Sequence, residues 1–508
     1  MCEPRASLVE SIPIGMEDLR KTSGVQFTED ALVRLTETTQ SILDLTAMYW
    51  ALLPDPTSDD ENGFEKSDFA RMGAGAGEEL YEALHNAAAR GVTIRILQSP
   101  GFSKSQQKGE SERLRDEFPE RVFIHTVEMG AWYGGSGIMH QKIWIFDDRH
   151  LYIGSANMDW KSISQVKEMG IVVEDCPELA ADVRKYFEAW WAFSTLTPTS
   201  IEVFDPLARI YRRVPRWSTW VPAAQRAQSP LAGSQYATTF NRETPESLVL
   251  NGERGGVFVT GCPDEVRGCG RTWDGEGLVH TIDDARKSIC VSVMDFGPIG
   301  LYSRRRAGPP IGNHGAIPDD TPVWWPALFD ALLSAALTRK VYVRLLVSKW
   351  AHTSGLIEPL LVALQKAADA GRADGFMRSG QLEIKQFIVP GWNSTADPHR
   401  QFPGHTRVNH TKYIVTDRRI NIGTSNMTWD YFASTAGSSF NADHPSLVRI
   451  LQVVFDRDYL VTPGAFTDAA FSSRTRGTTS SGSPSRLALV TSPAWESATD
   501  AFLASSIF

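Results

Sequence analysis

Cysteine is scarce in this chain of 508 residues: Cys2, Cys176, Cys262, Cys269 and Cys290 are the only five, and none forms a C-x-x-C pair. That excludes a disulfide-built scaffold and a structural zinc site. Cys262 and Cys269 flank a turn-like stretch and read either as a bridge in an oxidising compartment or as two thiols in a reducing one. Cys290, inside the strand-like SICVSV, reads as a buried small hydrophobe. No apolar run approaches the ~18–20 residues needed to span a bilayer. The opening MCEPRASLVESIPIG has no basic stretch followed by an apolar core, so no secretory signal is expected and the chain reads as soluble. Positive charge is also short. With 51 Lys and Arg against 60 Asp and Glu, the net charge is −9. A nucleic-acid binder with a broad basic face is thereby excluded, but a pocket gripping one or two phosphates is not. Glycine and proline are near average, and 42% hydrophobic with 22% charged residues is a globular balance, which rules out collagen-like and disordered chains. The length suits two domains, or one fold built from two halves.

What the chain does have is an internal repeat. Residues 140–160 read HQKIWIFDDRHLYIGSANMDW and residues 410–429 read HTKYIVTDRRINIGTSNMTW. Each holds H-x-K, four further residues, Asp, a β-like stretch, a Gly turn and an Asn. The parallel extends upstream in the same order. SILDLTAMYW (41–50) matches SICVSVMDF (288–296), GEELYEALHNAAARGVTIRILQS (77–99) matches WWPALFDALLSAALTRKVYVRLLVS (324–348), and RVFIHTV (121–127) matches LEIKQFIV (382–389). Strands alternating with helical patterns predict two α/β units, each a central sheet flanked by helices. The expected organisation is a first half with its linker over 1–240, a second half over 241–470, and a Ser/Thr/Gly-rich tail over 471–508. The segment 195–250 joins the halves without clear periodicity. Loops 54–76 and 302–322 follow corresponding strands and are candidate rims of a site.

In a strand, residues i and i+2 share a face. His140 therefore projects with Lys142, and His410 with Lys412. An imidazole beside an ammonium suits an oxyanion: the nitrogen attacks or protonates while the cation holds phosphoryl oxygens. Asn157 and Asn426 follow a turn and a return strand that can carry their amides back beside each His. Asp147 and Asp417 lie at odd spacing from their His and are expected to buttress the loop or the Lys rather than touch substrate.

These residues resemble the phospholipase D superfamily, whose H-x-K-x4-D…G-x-x-N motif occurs twice in a pseudo-two-fold α/β fold. The resemblance implies two central sheets flanked by helices and one active site between the halves. There one His attacks phosphorus to form a phosphohistidine, the other protonates the leaving oxygen, and water completes the hydrolysis without a metal or other cofactor. LVESIPIG (8–15), GSANMDWKSISQVKEMG (154–170), YFEAWWAF (186–193), FNRETPESLVLNG (240–252), VNHTKYIVTD (408–417) and GTSNMTWDYFASTAG (423–437) resemble one branch of it, the endolysosomal 5′→3′ exonucleases, over roughly residues 8–460. That branch implies single-stranded DNA or RNA as substrate. A phospholipid substrate with the same site is the enzymatic rival. A membrane- or envelope-associated interaction protein on the same fold is the non-enzymatic one, against which the intact His, Lys and Asn of both motifs argue. A homodimer is admitted, and no stable protein partner is implied. The resemblance points to a lysosomal lumen or the extracellular space, although this chain shows no signal or anchor. It also implies a disulfide between Cys2 and Cys176.

The halves are not equivalent. Glu168 follows the first motif where Gly437 follows the second. A carboxylate bonded to an imidazole fixes its tautomer and stabilises its cation. The expectation is His140 as nucleophile backed by Glu168, with His410 as acid; the reverse assignment stays open. Tyr49, Trp50, Trp350 and His352, at strand ends, are read either as base-stacking cleft residues or as core. Arg304, Arg305 and Arg306 form the one dense basic run, read chiefly as a solvated loop, and Asn393-Ser394-Thr395 is a glycosylation sequon for an exported chain.

Overall fold

The computed structural model describes residues 4–462 apart from 17, 20, 101–108, 135–136, 206–208, 219–220, 222–225, 227–232, 305–321, 374–380 and 395–400. Cys2, the tail over 471–508, Arg305, Arg306 and most of loop 302–322 lie outside the described residues, as does the side chain of Arg304.

Each matched pair of segments forms the same element. The strands Ile42–Ala47 and Ser288–Val293, Thr93–Gln98 and Tyr342–Lys349, and Val122–Thr126 and Leu382–Ile388 run parallel within their halves. Their crossovers carry the helices Gly75–Ala89 and Ala327–Leu337. The motif strands Ile143–Phe146 and Lys412–Thr416 enter antiparallel beside Ile42–Ala47 and Ser288–Val293. Both are wholly buried, which explains why their sequences are continuous apolar runs without alternation.

The result is two eight-stranded sheets that share one order over seven strands and differ at one edge, where Val25–Phe27 pairs parallel in the first and Glu246–Leu250 antiparallel in the second. The first runs Val25–Phe27, Arg5–Ser11, Glu168–Glu174, His150–Gly154, Ile143–Phe146, Ile42–Ala47, Thr93–Gln98, Val122–Thr126. The second runs Glu246–Leu250, Glu253–Val259, Ser439–Ala442, Ile420–Gly423, Lys412–Thr416, Ser288–Val293, Tyr342–Lys349, Leu382–Ile388. This is a duplicated α/β fold.

One apolar cluster belongs to both sheets. It joins Leu8, Ile153 and Ile171 of the first to Val257, Ile422 and Phe440 of the second, with Tyr186 and Phe455 from the long helices Pro177–Phe193 and Pro445–Val461. Both helices open on proline, whose missing N–H costs nothing in a first turn. The segment 195–250 is more regular than its sequence suggests. It folds a hairpin, Ser200–Asp205 with Ile210–Pro215, and ends in Glu246–Leu250, already an edge strand of the second sheet. Its strands are only five or six residues long, too short for the alternation to stand out. No helix among the described residues is long and apolar enough to cross a membrane.

A buried charge network ties the halves. Lys167 Nζ donates to Glu10 Oε2 at 2.8 Å, and Arg457, from the last helix, donates to both Glu10 oxygens at 3.0 and 2.7 Å. Asp458 completes it, 3.9 Å from Lys167 and 2.7 Å from Arg457. Burial alone would raise the Glu10 carboxyl, but Lys167 and Arg457 outweigh it and hold the pKa down to about 2. A folded-state value below the unfolded one contributes stability above the unfolded pKa that is lost as pH falls. We expect Glu10→Gln to cost about 3 kcal/mol at pH 7, a deficit that shrinks as pH drops below about 4.5. Urea unfolding across that range measures it, and a variant as stable as wild type at pH 7 contradicts it.

Candidate active site

The two motifs meet where the sheets abut. His140 N donates to Ala436 O at 3.0 Å, and Ala436 N to Ile138 O at 2.9 Å. The mirror pair is His410 N to Lys167 O at 2.8 Å and Lys167 N to Val408 O at 3.0 Å. These are single parallel bridges, Met139 with Ala436 and Asn409 with Lys167. Each sets a motif His against the segment that follows the other half's Asn. The two imidazole centroids consequently lie 6.4 Å apart.

Lys142 Nζ donates to His140 O at 2.8 Å, and Lys412 Nζ to His410 O at 2.5 Å. Each ammonium is thus folded back beside its own imidazole. Asp147 and Asp417 sit at the far ends of the motif strands. Asp147 accepts from the backbone N–H groups of Gln40, Ser41 and Ile42 at 2.8–3.0 Å, and Asp417 from those of Arg286, Lys287 and Ser288 at 2.9–3.2 Å. Against the cost of partial burial, these donors hold both carboxyls below their ordinary range. Each Asp pins a turn to the start of the neighbouring strand, away from the imidazoles.

The carboxylate is where the structure corrects the sequence reading. Glu168 does not meet His140. It lies across the junction against His410, whose Nδ1 is 2.8 and 3.0 Å from its two oxygens. Ser155 Oγ donates to Glu168 at 2.5 Å, and Ser162 bonds it as well. Counting along one chain could not reveal this, because the bridges pair each motif with the opposite half. His140 has no comparable partner: neither ring nitrogen has a hydrogen-bonded side chain among the described residues. Only the Thr424 backbone lies near enough to favour its cation. The Tyr431 ring packs against it, edge to face, with centroids 5.1 Å apart.

All seven principal groups are buried, none exposed beyond 6%. Burial and the two lysines push both imidazoles well below their ordinary pKa. Burial and Lys412 lower Lys142, and Lys412 itself falls to about 7 despite Glu168 and Asp295. Burial lifts Glu168 to about 7 against the pull of Lys412, so it can share a proton with the imidazole in the neutral range. Several buried atoms of these groups have no hydrogen-bond partner among the described residues: His140 Nδ1 and Nε2, His410 Nε2, and the amide oxygens of Asn157 and Asn426. Buried polar atoms are normally paired, so this set describes a site shaped for a polar ligand. Four basic groups around one carboxylate make that ligand an anion.

The remaining expectations divide. Tyr49 is half-buried and its hydroxyl donates to Asp159 Oδ2 at 2.8 Å; Trp50, also half-buried, pairs with Met158, next to Asn157. Their counterparts in the second half are Asp295 and Phe296, which adjoin Asn426 and Met427, and not Trp350 and His352. Trp350 is 4% exposed and packed with Val166, Met294 and Val408, a core residue and no open stacking surface. His352 is half-buried, stacked on His405 at 4.4 Å, with its pKa lowered to about 4 by burial and by His405. Loop 54–76 does reach the other half: Asp60 is 3.0 Å from His405. Cys262 and Cys269 are both free thiols, one buried and one exposed, so the bridge between them is not made. Cys290 is buried in its strand, Cys176 is buried while Cys2 lies outside the described residues, and Asn393 is exposed. No group of three or more His, Cys, Asp or Glu among the described residues is placed to hold a metal ion. Asp295 lies inside the matched segment 288–296 and Tyr431 inside 423–437, but neither is part of the repeated H-x-K or G-x-x-N pattern, so the sequence did not mark them out.

A duplicated α/β fold with paired His, Lys and Asn around one anion pocket defines a class of phosphoryl-transfer enzymes. Residues 67–191 match the family described as cardiolipin synthase, PLD-like domain, and residues 214–392 the family described as PLD3/4, PLD-like domain. The chain is 34% identical over 452 residues to a probable phospholipase D of Caenorhabditis elegans, covering 89% of this chain and 69% of that protein. It is 33% identical over 461 residues to the 5′-3′ exonuclease PLD3 of Rattus norvegicus and 32% to that of Homo sapiens, covering 90% of this chain and 79% of each. The chain belongs to the phospholipase D family, in its PLD3/4 branch, and is a phosphodiesterase of that family.

Because Glu168 holds His410 by Nδ1, we expect Glu168→Gln to slow turnover by about 10²–10⁴-fold, the scale set by other carboxylate–imidazole pairs. Single-turnover kinetics measures this, and a fully active variant would detach Glu168 from the chemistry.

Proposed function

We propose that this protein is a 5′→3′ exonuclease on single-stranded DNA or RNA, working through a phosphohistidine on His410. The observation that carries the mechanism is the asymmetry of the imidazoles, one bonded to Glu168 and the other bonded to no carboxylate. With Nδ1–H directed at Glu168, the lone pair of His410 Nε2 is free to attack phosphorus, and Glu168 stabilises the cation that forms. Lys142, Lys412 and the two amides hold the phosphoryl oxygens. His140 gives its proton to the departing oxygen, then takes one from the water that opens the P–N bond. The substrate reading rests on likeness to relatives named 5′-3′ exonucleases. Net acidity adds that affinity must come from a few phosphate contacts.

In this scheme the phosphorus stays on His410 while the 5′-oxygen of the next nucleotide leaves, so the released nucleotides carry a 3′-phosphate. Purified protein incubated side by side with 5′-hydroxyl single-stranded DNA and with labelled phospholipid tests the reading. Stepwise release of 3′-phosphorylated mononucleotides is expected, abolished in His140→Asn and in His410→Asn. Phospholipid turnover without nucleotide release would overturn the substrate and leave the site standing.

The pH dependence follows from the same groups. Burial, Lys142, Lys412 and His410 lower the pKa of His140, so the proton-bearing acid becomes scarcer as pH rises through neutrality. His410, lowered likewise, stays neutral and nucleophilic on the acid side. We expect kcat/KM to fall with rising pH above about 7, where Glu168 is already ionised and Lys412 gives up its charge as well. A rate that climbs over this interval would contradict His140 as acid.

A further inference from the structure

Superposing the motifs residue by residue exposes an exchange of side chains. Five residues after the motif Asn, the first half has Ser162 and the second has Tyr431; eleven residues after it, the first has Glu168 and the second Gly437. In the first half the small Ser162 bonds the large Glu168, which crosses to His410. In the second half the two-fold counterpart of Glu168 is a glycine, where a Cβ would collide with Ser425 Oγ and Cys262 Sγ. Tyr431 lies against His140 instead, its ring edge-on at 5.1 Å and 72°, only 3% exposed. Its hydroxyl bonds the side chain of Asn426, which in turn donates to Asp295 Oδ2 at 3.3 Å. The imidazole that lacks a carboxylate is therefore the one held by an aromatic wall.

We infer that Tyr431 is the positioning residue of the leaving-group acid, fixing the ring of His140 by ring contact. A carboxylate at this place would stabilise the imidazolium and hold back its proton; an aromatic edge orients the ring without a competing negative charge. The exchange of Ser162 and Glu168 for Tyr431 and Gly437 thus divides one duplicated site into a nucleophile side and an acid side. This rests on the assignment of His140 as acid proposed above. In the step concerned, the His410 Nε2–P bond forms, the P–O5′ bond breaks, and the His140 proton passes to O5′.

The test compares two leaving groups. Thymidine 3′-(4-nitrophenyl phosphate) expels a phenolate that needs no proton, whereas a thymidine dinucleotide expels a 5′-alkoxide that does. In single-turnover experiments on the full chain, Tyr431→Leu should lose roughly 100-fold on the dinucleotide, the span of general-acid catalysis. Its nitrophenolate burst should stay within about threefold of wild type. Tyr431→Phe, which keeps the ring, should recover most of the dinucleotide rate. Equal losses on both leaving groups would make Tyr431 merely structural and overturn the inference, as would an unimpaired dinucleotide rate in Tyr431→Leu. Mass spectrometry of the trapped wild-type intermediate separates the two levels. Phosphate on His410 with equal losses refutes only the role of Tyr431, whereas phosphate on His140 refutes the underlying assignment and the inference with it.

Discussion

Two short backbone bridges, Met139 with Ala436 and Asn409 with Lys167, bear the geometry of this active site. Each uses two peptide hydrogen bonds of 2.8–3.0 Å to lock a motif His onto the opposite half. Every other feature of the centre depends on them: the 6.4 Å spacing of the imidazoles, the reach of Glu168 to His410, and the packing of Tyr431 on His140. The bridges are themselves held by the shared apolar cluster and by the Glu10–Lys167–Arg457–Asp458 network. Lys167 belongs to both, its backbone pairing with the His410 segment and its ammonium with Glu10. Buried ionic groups add little net stability for what they cost in desolvation, but they allow few alternative arrangements.

The centre is electrostatically unfinished by itself. Two lysines and two imidazoles lie together, and burial pushes each toward its neutral form, with the Lys412 charge adding to this at Lys142 and at both imidazoles. An incoming phosphodiester supplies the missing negative charge and the missing hydrogen-bond acceptors together. In the mechanism proposed above, binding then draws protons onto the lysines, and the positive charge that stabilises the developing oxyanion is completed by the substrate that needs it.

Much of this was legible from the chain. Twin H-x-K-x4-D and G-x-x-N patterns, with matched strands upstream, specified a duplicated α/β architecture, because period and order within each half are local properties. The strand face common to His140 and Lys142, or to His410 and Lys412, follows from two-residue alternation. So does the buttressing place of Asp147 and Asp417. The less regular segment 195–250 hid its hairpin, since strands of six residues leave too few positions for a period to show.

Tertiary structure decided what passes between the halves. Glu168 is 28 residues from His140 and 242 from His410, yet it bonds the latter, because the pseudo-two-fold places each half's follow-on segment beside the other's motif. The same crossing brings Tyr431 to His140. The burial of Trp350 depends on Val166 and Val408, residues from opposite halves that only the closed junction brings together. The amino-acid sequence by itself determined which groups form the site and that they come in two matched sets. Which carboxylate serves which imidazole was left to the packing of one half on the other, since no periodicity along a chain encodes a contact across a symmetry axis.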